Sequence, residues 1–269
     1  MSEIDKTFTG SIAEVYESCF VPLIFAPYAR DLAPRVAAAT PRRVLEVACG
    51  TGVVTRALRE LLPPSAEIVA TDLNQAMLDV AAKVGAAGKV EWRQADATAL
   101  PFADASFDAV VCQFGVMFLP DKAKGFAELR RVLRPGGMLH FNVWDRIGDN
   151  EFTDVVTEAL ATMFPADPPR FMARTPHGYH DVQTIARDLR GGGFAEATIE
   201  TVAERSRAAT ARDAALALCA GSPLRSEIEA RGPGRLDEAV QTCTAALARR
   251  FGPGPIDGKI QAHVVAVAR

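Results

Sequence analysis

The chain has 269 residues, 49% of them hydrophobic and 23% charged, with a formal net charge of −3. That length buries a sizeable core and allows one large domain or one domain with a cap, in the composition range of globular proteins. The acidic balance argues against a general nucleic-acid binder, whose affinity comes mainly from neutralising phosphates.

Residues 11–39 read as helical, broken at Pro22, Pro27 and Pro34. A regular alternation follows. Arg43–Ala48 is a short apolar run ending in glycines, hence a buried strand; Val53–Leu62 is a helix stopped by Pro63 and Pro64. Strands are then predicted at Glu67–Thr71, Lys89–Gln94, Phe107–Gln113 and Met138–Trp144, with helices at Asn74–Val84 and Asp121–Leu133, the latter closed by Arg134-Pro135-Gly136-Gly137. Beyond residue 145 the pattern loosens. A helix is predicted over 150–164, a loop over 165–180, a helix over Asp181–Arg190, and a strand over Glu196–Arg207. Two or three alanine-rich helices over 211–251 and a last strand, Lys259–Arg269, complete the chain. Strands alternating with helices imply parallel βαβ units in a doubly wound α/β sheet, with ligands bound outside the carboxyl ends of the strands.

Cys19, Cys49, Cys112, Cys219 and Cys243 share no metal-ligand spacing, and an odd count suggests no disulfide framework. Met1–Gly10 lacks the charged start and apolar run of a signal peptide. The apolar stretch Cys19–Ala29 is too short to span a bilayer. A cytoplasmic protein without stable membrane insertion is expected.

Strand one ends in Glu46-Val47-Ala48-Cys49-Gly50-Thr51-Gly52, and Asp72 ends strand two about 20 residues later, as a ribose-gripping carboxylate should. A dinucleotide would need a third glycine where Thr55 stands, and its pyrophosphate gains nothing from Glu46. A ligand bearing an ammonium group does gain from that carboxylate. VLEVACGTG resembles the glycine-rich first motif of class I S-adenosylmethionine-dependent methyltransferases. ATDLNQAML, ADATALPF, FDAVVCQFGVMFLPD and LRPGGMLHFNVWD resemble the family's later motifs, in order over residues 42–145. The nearest type is the bacterial ubiquinone/menaquinone-biosynthesis-like (type 11) group, whose members methylate diverse small molecules; Ala48 departs from it, where many members have glycine.

The resemblance implies a Rossmann-like, seven-stranded, mostly parallel sheet with an antiparallel last strand and helical cap elements. It implies one domain over 1–269: a helical lid at 1–40, a cofactor-binding core at 41–145, a cap insertion at 146–180, and final helix, strands and inserted cap helices at 181–269. It implies S-adenosylmethionine as cofactor and S-adenosylhomocysteine as product. Ala48, Gly50 and Gly52 would pass under the methionine portion and Glu46 help hold its ammonium. Asp72 would accept the ribose hydroxyls, with Leu73 and Met77 beside the adenine. Asp96 and Ala97 would bind the adenine edge, Gln113 and Phe114 would lie near the sulfonium, and Tyr28 and Arg30 would close over the methionine end.

The acceptor is expected to be a small, partly apolar molecule in a pocket drawing on Phe20, Phe25, Phe114, Phe118, Trp144, Phe164, Phe171 and Met172, with Arg170 and Arg174 flanking it. Its acceptor atom (oxygen, nitrogen, sulfur or carbon) stays open. Candidate bases are His177, Tyr179 and His180 in PHGYHD, then Asp145 and Tyr16. His177 and His180 have the spacing of a metal pair but no third ligand, so no metal is expected. No nucleic-acid partner is expected, and the state is monomer or homodimer. Two other classes compete. An NAD(P)-dependent oxidoreductase is opposed by Thr55, Glu46 and the lack of a Tyr-x-x-x-Lys pair. A non-catalytic S-adenosylmethionine binder or scaffold shares the same motifs.

Overall fold

The computed structural model describes residues 11–269; the polar run Met1–Gly10 lies outside them. Seven strands form one sheet in the order β3-β2-β1-β4-β5-β7-β6. They are β1 Arg43–Val47, β2 Glu67–Asp72, β3 Val90–Gln94, β4 Phe107–Gln113, β5 Leu133–Trp144, β6 Thr198–Ala208 and β7 Ile256–Ala268. The first five pair in parallel, while β7 runs antiparallel between β5 and β6. The strand order reverses between β1 and β4, which puts the switch point, and so the ligand crevice, at the glycine-rich turn after β1.

Period-two alternation assigns each strand residue to a layer. Val44 of β1 and Val111 of β4 face α2 (Ala26–Ala37) and α3 (Val53–Leu61), meeting Leu32, Val36 and Leu58. Leu45, Val47, Val110 and Cys112 face the other layer, with Phe126 and Leu129 of α5 (Lys122–Val132) and Ile185 and Leu189 of α8 (Val182–Gly191). On the first side α4 (Gln75–Val84) rests Leu78 on Ala70.

The predicted strands and helices through α5 are found to within a few residues, with one difference at β5. It begins at Leu133, so Arg134–Gly137 bulge out of the strand where a closing turn was expected. Asp108 holds the bulge by accepting from Arg134 and from the amides of Arg42 and Arg43.

The N-terminal prolines do not break the helix. Short α1 (Ser11–Val15) leads into a π-helical stretch, Tyr16–Phe25, that carries Pro22 and continues as α2, with Pro27 in its first turn. The amide of Ala26 reaches back five residues to Val21, the wide π pattern. At an α-helical winding of about 100° per residue, Tyr16 and Phe25 would stand on opposite sides. The wider turn brings their rings to 5.0 Å.

A cap stands over the carboxyl ends of the strands. It comprises α6 (Glu151–Met163), the short α7 (Phe171–Arg174) within the expected 165–180 loop, and α9 (Ala211–Ala220), α10 (Leu224–Arg231) and α11 (Leu236–Phe251), inserted between β6 and β7. The hydroxyl of Tyr28 donates to Val202 O at 2.9 Å and that of Ser206 to Leu23 O at 2.9 Å, tying the N-terminal segment to β6. Among the described residues no helix is long and apolar enough to cross a membrane.

Candidate active site

One pocket opens where the strands end, bounded by the glycine-rich turn, the π-helical stretch and the cap. Ala48, Gly50, Asp72, Leu73, Met77, Asp96, Ala97, Gln113 and Phe114 all line it. Ala48 and Gly50 both adopt left-handed backbone, at φ of 54° and 55°, so the turn curls tightly after β1. Asp72 closes this end: Oδ2 accepts from Gly50 N at 2.9 Å and Oδ1 from Asn74 N at 2.8 Å. Burial raises the Asp72 pKa, while these amides oppose the shift. Leu73 is 46% exposed beside it, an apolar face that a flat ring would cover. Asp96 is exposed, and its Oδ1 takes the amide and hydroxyl of Thr98 at 2.7 and 2.8 Å.

Four residues expected at the cofactor stand away from the pocket. The register of β1 puts Glu46 on the same face as Val44, beneath α3, where its carboxylate accepts the Thr55 hydroxyl. Burial, reinforced by Asp72, pushes its pKa up to about 8. Gly52, at φ 85°, packs against β3, and a Cβ there would stand 2.7 Å from the Trp92 ring. Tyr28 is fully buried behind the pocket wall, and Arg30 points to solvent. The residues that stand over the glycine-rich turn are instead Tyr16 and Glu17, eleven to fourteen residues earlier. A Cβ on Gly50 would lie 3.4 Å from the Tyr16 hydroxyl, and Glu17 accepts from Arg56 at 2.8 Å and from the Thr51 hydroxyl. Burial, then the neighbouring Asp72 and Glu17 carboxylates, raise the Tyr16 pKa, so its hydroxyl keeps its proton.

The far end of the pocket is aromatic. Phe114 and Trp144 stack at 3.8 Å with planes 4° apart, Phe25 leans on both, and Tyr28 meets both edge-on from behind. Phe114 adopts φ 51°, an unusual conformation for a residue with a bulky side chain. Asn142 holds it there, its Oδ1 accepting the Phe114 amide at 3.0 Å. Gly115 fits the next position because a Cβ would lie 2.6 Å from both Ala48 Cβ and Cys112 Sγ. Between the two ends, Gln113 donates from Nε2 to Phe25 O at 3.2 Å, while its buried Oε1 has no partner.

Phe20, Phe25, Phe118, Phe171 and Met172 line the acceptor end as expected from the sequence, joined by Ile24, Leu119, Thr153 and Ile260. Phe164 does not; it is buried with the Arg235 guanidinium over its ring. Arg174 is spent on Glu227 at 3.0 Å, and neither it nor Arg170 lines the pocket. Of the three candidate bases, His177 lines the pocket. Tyr179 turns toward α8 and donates to Asp188 at 3.0 Å, and His180 Nδ1 sits 2.8 Å from His177 O, outside the lining. Asp145 takes Gln261 Nε2 at 2.7 Å and lies 3.4 Å from His263 Nε2, so it serves the β5–β7 seam. Among the described residues no three His, Cys, Asp or Glu side chains gather as metal ligands.

The residues present fit S-adenosylmethionine. A carboxylate at the end of β2 suits a ribose diol, an exposed leucine suits an adenine face, and the buried Gln113 Oε1 needs a donor. A pyrophosphate fits poorly, because Thr55 and Glu46 fill the space beneath the start of α3.

Comparison with known proteins agrees. The family described as "Methyltransferase domain" matches residues 45–141. Demethylmenaquinone methyltransferase of Deinococcus radiodurans is 45% identical over 112 residues, 41% of this chain and 46% of that protein. A ubiquinone/menaquinone biosynthesis C-methyltransferase of Saccharophagus degradans is 31% identical over 167 residues, 57% of this chain and 67% of that protein. The matched region thus spans from about half to two thirds of these curated relatives. Phosphoethanolamine N-methyltransferase 2 of Haemonchus contortus, solved with S-adenosyl-L-methionine, shares the fold at a TM-score of 0.60 and 20% identity, over 98% of this chain and 59% of that one. With β1 through β5 carrying the motifs in order and a relative matched over two thirds of its length, the chain belongs to the class I S-adenosylmethionine-dependent methyltransferases, in their ubiquinone/menaquinone-biosynthesis group.

Proposed function

We propose that this protein transfers the methyl group of S-adenosylmethionine to a small, partly apolar acceptor carrying an aromatic ring. The observation that carries the reading is the continuity of one pocket, polar at Asp72 and Asp96, aromatic at Phe114 and Trp144, and apolar beyond. Asp72 grips the ribose; Leu73, Met77, Asp96 and Ala97 hold the adenine; Ala48 and Gly50 pass beneath the methionine chain. Gln113 and Phe114 stand where the two ligands meet. Residues 11–37, led by Tyr16 and Glu17, act as the lid, and residues 146–180 with the helices inserted before β7 act as the cap.

Bound S-adenosylmethionine supplies an electrophilic methyl group on a sulfonium. The protein's part is to hold the acceptor in line with it and to exclude water, and such positioning is worth up to about 7–11 kcal/mol in well-oriented systems. The names of the matched relatives refer to menaquinone and ubiquinone biosynthesis, and a quinone-type ring suits the Phe114–Trp144 stack as acceptor.

Calorimetry with S-adenosylmethionine, S-adenosylhomocysteine and NADH tests the cofactor. The adenosyl ligands are expected to bind and NADH not to. Well-folded protein that binds neither adenosyl ligand would overturn the reading, and binding of NADH alone would favour the oxidoreductase.

A further inference from the structure

We infer that His177 is the group that takes the acceptor's proton, and that the acceptor is an uncharged arene presenting a hydroxyl to its Nε2. This rests on the methyltransferase reading and names its substrate class and its base.

Three observations carry it. First, the His177 tautomer is fixed. Nδ1 lies 2.8 Å from the carbonyl oxygen of Asp145. A carbonyl only accepts, so Nδ1 carries the hydrogen and Nε2 the lone pair. Among the described residues Nε2 has no hydrogen-bond partner, on a side chain that is 5% exposed and lines the pocket. Secondly, the place is right. The His177 ring centre is 5.9 Å from that of Trp144, which stacks on Phe114, so a ring lying along that wall brings its substituents to the imidazole. Thirdly, the acceptor end has no charged side chain among its described lining residues; Asp72 and Asp96 are both at the cofactor end. An acceptor with a phosphate or carboxylate would meet no protein counter-ion there.

Burial is also the main reason that His177 is pushed down to about 4, with His180 on the same segment adding to the effect and Asp145 at the end of β5 opposing it. His263 of β7 faces Asp145 from the far side. The imidazole is therefore neutral at physiological pH, with its Nε2 lone pair available, although the same burial weakens it as a base.

In the step itself, the acceptor oxygen forms a bond to the methyl carbon as the S–C bond breaks, and the electron pair of that bond stays on sulfur. The hydroxyl proton passes to Nε2. The sulfonium charge disappears as an imidazolium charge arises, so no net charge is created in the buried pocket. The imidazolium then returns its proton to solvent as the product leaves.

The test uses four probes of one shape: 2-naphthol, 2-methoxynaphthalene, 2-naphthoate and 2-naphthalenethiol. Protein saturated with S-adenosylhomocysteine should bind 2-naphthol at least tenfold more tightly than 2-methoxynaphthalene and should reject 2-naphthoate. In His177→Leu, which has no acceptor, that preference should vanish while S-adenosylhomocysteine affinity stays within about twofold. With S-adenosylmethionine, turnover of 2-naphthol should fall roughly 10²–10⁴-fold in His177→Gln, the range for a lost general base. Turnover of 2-naphthalenethiol, which ionises unaided, should change less than tenfold. An equal fall on both would make His177 structural and overturn the proposal. So would preferred binding of 2-naphthoate, or failure of the native protein to bind or methylate 2-naphthol while still binding S-adenosylhomocysteine. Failure to bind S-adenosylhomocysteine would instead overturn the methyltransferase reading.

Discussion

Ala48, Gly50, Asp72 and Asp96, at the cofactor end of the pocket, each lie at a strand's carboxyl end or within three residues of it. The acceptor end is assembled differently. Phe20 and Phe25 come from the π-helical stretch, Trp144 from β5, Thr153 from α6, Phe171 and Met172 from α7, and Ile260 from β7. Local motifs build the first, because a strand, a tight turn and a helix start fix their own geometry within a few residues. Packing between elements far apart in sequence builds the second. The difference teaches that cofactor and acceptor sites in one pocket can be altered independently, and four predictions press on that separation.

The largest effect belongs to Asp72. Asp72→Ala removes the carboxylate proposed to accept the ribose hydroxyls and leaves the Gly50 amide unpaired, so S-adenosylhomocysteine affinity should fall about 100-fold or more, in keeping with about 1.5–3 kcal/mol per hydrogen bond to a charged group. Trp144→Ala should leave that affinity within about threefold and abolish acceptor binding. Calorimetry on both variants checks this; a loss of cofactor binding in Trp144→Ala as large as in Asp72→Ala would mean the two ends act as one.

Next comes the joint between the ends. Gly115→Ala forces a methyl group onto Ala48 and Cys112, an overpacking cost of about 1–3 kcal/mol. Thermal unfolding should drop by several degrees, and Ala48→Gly in the same chain should recover part of the loss. No recovery would show that the contact with Ala48 is not what limits position 115.

Glu46 gives a smaller, proton-coupled effect. Its folded pKa of about 8 lies above the ordinary carboxylate value, because burial disfavours the charge. Its contribution to stability is therefore present below about pH 4.5 and lost as pH rises through about 8. A ligand ammonium held nearby favours the ionised form. Binding of S-adenosylmethionine near pH 7 should release up to one proton, and binding of 5′-methylthioadenosine, which lacks the ammonium, should release none. Calorimetry in buffers of different ionisation enthalpy reads the proton count; identical counts for the two ligands would remove Glu46 from ammonium binding.

The smallest effect is on acid stability. His140 and His177 are both pushed down to about 4, chiefly by burial, with Arg35 adding to the shift at His140. Each folded value lies below the unfolded one near 6.5, so stability is full above that and is lost as pH falls from about 6.5 to about 4. His140→Gln, away from the pocket, should flatten part of that decline in melting temperature. An unchanged profile would show that His140 is not among the groups responsible.

The same contrast explains what could be read from the sequence. The glycine-rich turn and Asp72 are legible from short-range spacing, and Asp96 and Phe114 from the resemblance, because each sits within a short motif at a strand's end. The alternation that Glu46 shares with Val44 points its side chain under α3, a signal as local as the motif. Gly52 carried no local sign that Trp92, forty residues on, would press on it. Tyr179, His180 and Phe164 were drawn to the pocket by residue type alone, and only the packing of α8, of the 165–180 segment and of α11 turns them away. The resemblance places the closing residues at Tyr28 and Arg30, whereas the π-helical winding of Tyr16–Phe25, which residue spacing does not show, sets Tyr16 beside Gly50.

That wide winding makes the aim of the Tyr16–Phe25 stretch a matter of chain length more than of composition. Deleting one residue between Tyr16 and Phe25 would favour ordinary α-helical pitch and swing one of the two rings off the shared face, although every aromatic side chain remained. A conservative substitution in the same stretch would leave the aim untouched. Insertions and deletions, which surface helices elsewhere often absorb at their ends, would here redraw the ceiling of the acceptor chamber and so the shape of molecule it admits.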